Sequence, residues 1–544
     1  MNKKESGSFY TPEILSNFLV QHIFQTYLTD REVLRILEPS CGDGEFIESL
    51  KPFIANIDVE LDIIDVNKDE LTKSFERISQ VIPNQNIRCN NSDFLEFEFQ
   101  NSYSLIIGNP PYISKKHLSV EQIELCKTVC KPYITGEVKN IWPAFLVKAI
   151  ENIDEDGVMC FVLPSELLQV KYTSGLRKLI LESFDKVEIF AFNELIFDNA
   201  EQDVVAIIGI KSHDNQEERG VSFYQVDKLE DLTIPNYTKM NFNVHREKLD
   251  KWTNYILTDD QLNSIDNVSS DLGLLPIRHY CQKAEVGIVT AANKYFIKRQ
   301  SELIHSNLDR YVRPILQKSN LLHQIVTITQ ERIEQLRDND KPVNLVCFDN
   351  VPKNQLSEDA QRFVTEGEIE GLHERYKMTK RVNWYHVPSI WSSEAIFCKR
   401  SHLFPRMLLN KANVLVTDSF YRVICKDEYS IQKLVFSFYN SMTMVLAELE
   451  GRFYGGGVLE LIPTEFKNLL IPYNGNVTQR HYEHLEELFH DNASLDEILN
   501  YTDPILLQGI ETEQINDLRD MREALFNRRT KHKPEHENVN QITI

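Results

Sequence analysis

Between residues 33 and 210 short apolar runs alternate with amphipathic stretches, and this rhythm restricts the fold more than any other feature of the chain. The apolar runs fall near 33–38, 61–66, 86–89, 103–108, 158–163, 186–192 and 203–210. Helical periodicity falls between most of them, notably at 44–51, 67–80, 119–130 and 140–153. Strands separated by helices pair in parallel and are covered on both faces, so an α/β fold with a doubly wound sheet is expected. A short segment joins the last two of these seven runs, which predicts a hairpin and one antiparallel strand in a mostly parallel sheet. Ahead of the sheet, Ile14, Leu15, Phe18, Leu19, Ile23 and Tyr27 recur at helical spacing, with Thr11 placed as the cap and Pro12 in the first turn.

After about residue 240 the rhythm is lost. The chain has 544 residues, too many for a single core. We expect a first domain over 1–240, an irregular α+β domain over 245–475, and a charged helical extension over 476–544 that ends in a solvated tail. Hydrophobic residues at 42% and charged residues at 26% describe an ordinary globular chain. The N-terminus lacks the apolar core of a signal peptide and no run reaches membrane-spanning length, so the expected location is the cytoplasm, with no membrane partner. The nine cysteines are scattered; Cys126 and Cys130 are the one close pair, without a second ligand pair beside them, so reduced thiols and no metal are expected. A net charge of -22 argues only weakly against a nucleic-acid partner, because the local field of a cleft decides binding.

Four stretches carry chemistry. In RILEPSCGDGEF a strand ends at Glu38, a turn holding Gly42 and Gly44 follows, and a helix begins. Nucleotide-like ligands bind at such a strand end, where glycines admit the ligand to the backbone. The turn is not the GxGxxG fingerprint, and Glu38, Asp43 and Glu45 flank it. Those acids suit a cationic ligand such as S-adenosylmethionine; an ordinary βα connection accounts for the glycines equally well. In LDIIDVNKDEL, Asp65 ends a strand where an acid can take ribose hydroxyls, or else it caps a helix. In NNSDFLEF, Asp93 is placed to accept from an adenine amino group and Phe94 to lie against its ring.

The fourth stretch, GNPPY, is the most specific, and it sits at a strand end. The lone pair of a base amino group is delocalised into the ring, so that nitrogen is a poor nucleophile. If the Asn109 side-chain oxygen and the Pro110 carbonyl each accept one amino hydrogen, the lone pair is freed to attack a sulfonium methyl. Pro111 stiffens the loop, and Tyr112 is placed to stack on the planar group, worth about 1–3 kcal/mol.

The order SGSFYTP, LEPSCGDGEF, Asp65, SDF, GNPPY, KNIWPAFLVKAI and GVMCFVLPS resembles the gamma-class DNA adenine N6-methyltransferases of restriction–modification systems, over about residues 6–210. The later stretches AEVGIVTAANKYF, NKANVLVTDSFYR and GRFYGGGVLELIPTEFKNLLIP look like the target-recognition region of such enzymes. The resemblance implies a Rossmann-like, seven-stranded S-adenosylmethionine-dependent methyltransferase fold with a C-terminal α+β target-recognition domain. It implies that Tyr10, Thr11, Glu38, Ser40, Cys41, Gly42, Asp65, Asp93, Phe94 and Phe145 line the cofactor pocket. Asn109, Pro110, Pro111 and Tyr112 would form the catalytic loop, with Phe197 as a second aromatic against a flipped adenine; a core phenylalanine is the competing reading of Phe197.

The implied partners are double-stranded DNA and a cognate restriction endonuclease acting on the same site. A duplex hides the adenine amino group, so the base must be flipped. Candidate DNA contacts are Lys294, Lys298 and Arg299; Arg310 and Arg313; Lys377, Lys380, Arg381 and Trp384; and Lys399, Arg400 and Arg406, although basic clusters are also ordinary solvated faces. In GRFYGGGV the glycines suggest a backbone that approaches DNA or the catalytic domain closely. Three alternatives remain open: a modification subunit that needs a separate specificity protein, an RNA methyltransferase, and a protein-glutamine methyltransferase. DNA cleavage is not expected, because the motifs begin at Phe9 and the pair Glu465 and Lys467 lacks an acidic partner.

Overall fold

The computed structural model describes residues 10–29, 31–83, 86–192, 196–197, 203–212, 220–233, 238–242, 252, 257–348, 350–454 and 457–530. The described chain divides into two compact units, one up to Leu262 and one from Asn263 to Thr530.

The first unit is built on a nine-stranded sheet. Its strands are β1 (Val33–Glu38), β2 (Asp58–Ile64), β3 (Ile87–Asn90), β4 (Tyr103–Gly108), β5 (Ile153–Pro164), β6 (Lys186–Phe192), β7 (Val204–Ile210), β8 (Gly220–Val226) and β9 (Thr238–Phe242), in the order β3-β2-β1-β4-β5-β7-β6-β8-β9. Strands β3, β2, β1, β4 and β5 run parallel, so their carboxyl ends share one edge. β7 lies antiparallel between β5 and β6, the hairpin that the sequence predicts. β4, β6 and β7 are buried along their whole length; β7 therefore reads as an unbroken apolar run, while β6 buries Lys186 and Glu188 among its apolar residues.

Two strands exceed the seven expected. β8 joins parallel to β6, and β9 joins antiparallel to β8. Among the described residues neither is flanked by a helix of useful length, so the strand–helix rhythm that marks the others is missing there. Among the described residues, the longer helices of this unit are α1 (Glu13–Thr26), α2 (Glu45–Ile54), α3 (Lys68–Ile78), α4 (Val120–Cys130), α5 (Trp142–Glu151) and α6 (Ser174–Ser183). Thr11 does not cap α1; the cap position is Pro12, with no side-chain bond, and Thr11 is buried. All nine cysteines are free thiols, and burial pushes Cys126 up to about 11 and Cys130 up to about 12.

The second unit holds small sheets of five, four, three and two strands among the described residues, in keeping with the irregular α+β pattern. Its helices Gln479–His490, Leu495–Leu506 and Thr512–Thr530 are not a separate extension. Tyr482, Leu485, Ile498 and Leu499 share one core with Phe397, Tyr421 and Phe436, so the apolar faces of these charged helices have a sheet to cover. At the far end, Arg529 and Glu448 form a buried ion pair at 2.7 Å, and Arg529 also donates to the carbonyls of His402 and Gly457. A Cβ at Gly457 would lie 2.6 Å from Arg529 O, so the close approach expected of the GRFYGGGV glycines is made to this helix. Residues 455–456 and the tail from 531 lie outside the described residues. No helix among the described residues is long and apolar enough to cross a membrane.

Candidate active site

The carboxyl edge of β1, β2, β3 and β4 brings together the glycine turn, the acids that follow β2 and β3, and the GNPPY loop. Gly42 and Gly44 both have positive φ, +51° and +82°. At Gly44 a Cβ would lie 2.6 Å from Ser74 Oγ, so glycine there lets the turn pack against α3. Ser74 Oγ donates to Gly42 O at 3.1 Å. The Asp65 carboxylate accepts from Gly42 N at 2.9 Å and from Asn67 N at 2.7 Å, while Asn67 caps α3 through Asp69 N. Cys41 is buried and its backbone N donates to Ile64 O at 3.1 Å. Asp65 and Cys41 therefore lock the turn onto the end of β2.

Glu38 is the last residue of β1 and is 1% exposed. Burial, and then the charges of Asp65, Asp43 and Glu45, push its carboxyl well above the ordinary range. Its Oε2 has no hydrogen-bond partner, and the same holds for Glu70 Oε2 and Ser92 Oγ, which follow β2 and β3. Three orphaned buried polar atoms on one sheet edge are costly unless a ligand engages them. Burial likewise raises Asp43, Glu45 and Asp65. Tyr10, 45% exposed, has its ring 3.9 Å from where a Gly42 Cβ would lie. Excess negative charge, a glycine turn faced by an exposed aromatic ring and unmatched buried polar atoms fit a ligand that carries cationic groups and hydroxyls, as S-adenosylmethionine does. Glu70 and Ser92 escaped the sequence reading; their signal was only an acid in the first turn of α3 and a polar residue after β3.

Phe94 and Phe145 depart from the expected pocket lining. They are 1% and 4% exposed and close on each other at 4.8 Å between ring centroids. Lys148, on α5, draws the segment inward by donating to the carbonyls of Phe94, Leu95 and Phe97 at 2.7–2.8 Å. Asp93 accepts from Leu95 N at 2.9 Å and from Gln122 Nε2 at 3.2 Å, so both its oxygens are engaged.

The GNPPY loop leaves β4 beside the glycine turn. A Cβ at Gly108 would lie 3.4 Å from Pro39 Cδ, and Ser40 Oγ donates to Asn109 O at 3.2 Å. The loop is held from behind: Ile141 N donates to Ile113 O, and Lys115 N donates to Lys139 O. Tyr112 is more deeply set than a freely stacking ring, at 6% exposure, because its hydroxyl reaches Asn109 Oδ1 at 2.7 Å and Val162 O at 3.0 Å. Burial pushes that hydroxyl well above its ordinary pKa, so it stays a donor. Phe197 lies 6.3 Å from Tyr112 with its ring tilted by 56°. Pro110 is buried and Pro111 half-buried.

The candidate DNA contacts of the second unit divide into two groups. Lys294, Arg313 and Lys380 are exposed. Arg381 instead donates to the carbonyls of Val289, Thr290 and Trp384, and Arg406 to those of Leu322 and Ser319. Trp384 is half-buried over Gly367, with its indole N–H toward Glu368 at 3.4 Å. Arg400 pairs with Glu460 at 2.6 Å. Arg381 and Arg406 serve the fold first, because a guanidinium beside buried carbonyls satisfies them, whereas Arg400 and Trp384 are engaged by the carboxylates of Glu460 and Glu368. Glu465, half of the pair weighed for cleavage, pairs with Arg452 and accepts from Ile462 N.

Residues 44–197 match the family model described as Eco57I restriction-modification methylase, and residues 249–507 match the Type II methyltransferase M.Eco57I, C-terminal domain. Both fall in register with the two units. The Type II methyltransferase M.AccI of Acinetobacter calcoaceticus is 25% identical, over 93% of this chain and 94% of its own. The chain is related to Type II restriction-modification methyltransferases. M.BanIII of Aneurinibacillus aneurinilyticus, another of them, is 22% identical over 79% of this chain and 82% of its own. Among solved structures, the Type IIL restriction-modification enzyme MmeI in complex with DNA shares the fold, with a TM-score of 0.54 at 12% identity, covering 96% of this chain and 74% of that one.

Proposed function

We propose that this chain is a site-specific DNA adenine N6-methyltransferase that uses S-adenosylmethionine and acts in a restriction-modification system beside a cognate endonuclease. The observation that carries this reading is the bond from Ser40 Oγ to Asn109 O. It ties a loop of acceptors to a turn whose acids suit a cationic cofactor, so the amino group and the methyl source are brought to one place.

When bound, the cofactor supplies an electrophilic methyl on a sulfonium. Glu38, Asp65 and Glu70 hold it by charge and hydrogen bonding, with Tyr10 over the glycine turn. Asn109 Oδ1 and the Pro110 carbonyl accept the two hydrogens of the adenine amino group, which brings the nitrogen lone pair out of conjugation. Methyl transfer to that nitrogen would leave the C–S pair on sulfur and release one amino proton to solvent. Tyr112 positions Asn109 and gives a ring edge against the flipped base, with Phe197 beside it. Positioning is the loop's main contribution, because an oriented lone pair removes much of the entropic barrier. The second unit grips and reads the duplex; MmeI, which shares the fold, was solved in complex with DNA.

The test is native-modification sequencing of DNA from a methylation-deficient host that expresses the chain. N6-methyladenine at one recurrent motif is the expected result. Unmodified DNA together with label transferred to RNA or to a protein glutamine would replace the substrate while keeping the loop chemistry.

A further inference from the structure

The second unit contains a cavity of about 690 Å³ beside the short Asn293–Phe296 helix. Four cations line it, Lys294, Lys298, Arg375 and Lys377, against two carboxylates, Glu370 and Asp418. In a chain of net charge -22 this is a local reversal of sign. Lys298 already pairs with Glu302 at 3.5 Å. Among the described residues no carboxylate pairs with Lys294 or Lys377, and both side chains are exposed at the cavity. The wall also contains Ala291 at φ +66°, a left-handed backbone that a residue with a Cβ rarely adopts, and Arg375 donates to its carbonyl at 3.4 Å. Strain of this kind persists where the surroundings hold it, commonly at binding sites.

We propose that this cavity seats the sugar–phosphate backbone of duplex DNA as a sequence-neutral anchor; the inference rests on the DNA reading above. Its volume exceeds that of a lone inorganic anion and suits a nucleotide-sized segment. The same turn carries Tyr376 and Val382, 78% and 90% exposed, with Lys380 Nζ 5.3 Å from the Tyr376 ring, so the rim offers apolar contact beside positive charge. Phosphate suits the donor types: lysine ammonium is a compact point charge matched to phosphate oxygens, and contacts to phosphate fix position without carrying sequence information. The one guanidinium in the lining, that of Arg375, is already bonded to Ala291 O.

The experiment compares the full chain with the Lys294→Ala/Lys377→Ala double variant for binding to duplexes with and without the methylated motif, from 50 to 200 mM salt, and sequences the methylation product. Both side chains are exposed, so an unchanged melting temperature is the control for folding. Affinity for both duplexes should fall by roughly tenfold or more, the log–log salt slope should flatten by about 1 per lysine, and the methylated motif should stay the same. Unchanged affinity, or a relaxed or altered motif, would overturn the anchor while leaving the methyltransferase reading intact. Absence of duplex binding by the unmodified chain would overturn both.

Discussion

The Tyr112 hydroxyl lies 2.7 Å from Asn109 Oδ1 and 3.0 Å from Val162 O, at the end of a ring that is 6% exposed. One hydroxyl has one proton, so these two acceptors share it. On the proposed reading, the side chain that would stack on the base thus also orients the acceptor that would activate it. Tyr112→Phe keeps the ring but removes the hydroxyl bonded to Asn109 Oδ1. We expect a loss of about 1 kcal/mol in stability and a fall in kcat, with the KM for cofactor unchanged. Chemical denaturation and single-turnover methylation measure the two effects; an unchanged single-turnover rate would remove Tyr112 from the positioning role.

Asn109→Ala removes one of the two acceptors for the amino hydrogens. Transfer should fall at least a hundredfold, about 2.7 kcal/mol in the barrier. Cofactor affinity, measured by calorimetry, should change little, because Asn109 touches the glycine turn through its backbone carbonyl.

Glu38 couples function to pH. Burial, then Asp65, Asp43 and Glu45, raise its folded pKa above the unfolded value. A raised carboxyl binds its proton more tightly in the folded state. Its cost to stability is therefore absent below the ordinary carboxylate range and grows as pH rises toward and through the folded pKa. Glu38→Gln should raise the melting temperature of the ligand-free protein at pH 8 relative to pH 5 and abolish cofactor binding. A uniform loss of stability at both pH values would contradict the assignment.

Gly44→Ala places a Cβ 2.6 Å from Ser74 Oγ and 3.1 Å from Ser74 Cα, at φ +82°. The left-handed backbone alone costs about 1–2 kcal/mol. Urea unfolding should show at least that loss, together with weaker cofactor binding, since the turn must shift away from α3.

Arg381→Ala should destabilise the second unit rather than only weaken DNA binding. Three carbonyls, those of Val289, Thr290 and Trp384, lose a charged donor, at a cost of about 2 kcal/mol or more. A variant that melts like the parent would return Arg381 to the list of DNA contacts.

These cases show what the sequence could and could not disclose. Strands β1 to β7 were legible because most of them are buried and rich in apolar residues, and the helices between many of them restore amphipathic spacing. β8 and β9 were not, since among the described residues this added edge carries no strand–helix alternation. The glycine turn, Glu38 and GNPPY were legible as motifs because their residue types are dictated by backbone geometry and charge. The burial of Phe94 and Phe145 was not, because it depends on Lys148, some 50 residues distant in sequence, drawing three carbonyls inward. Arg381 and Arg406 looked like phosphate contacts because composition does not distinguish an arginine facing solvent from one facing buried carbonyls.

The most direct test of the central claim is transfer of labelled methyl from S-adenosylmethionine to unmethylated DNA by the purified chain, with digestion to nucleosides, run beside Asn109→Ala. The account predicts label in N6-methyladenine with the parent chain and none with the variant. Label in a cytosine, or undiminished transfer by the variant, would contradict it.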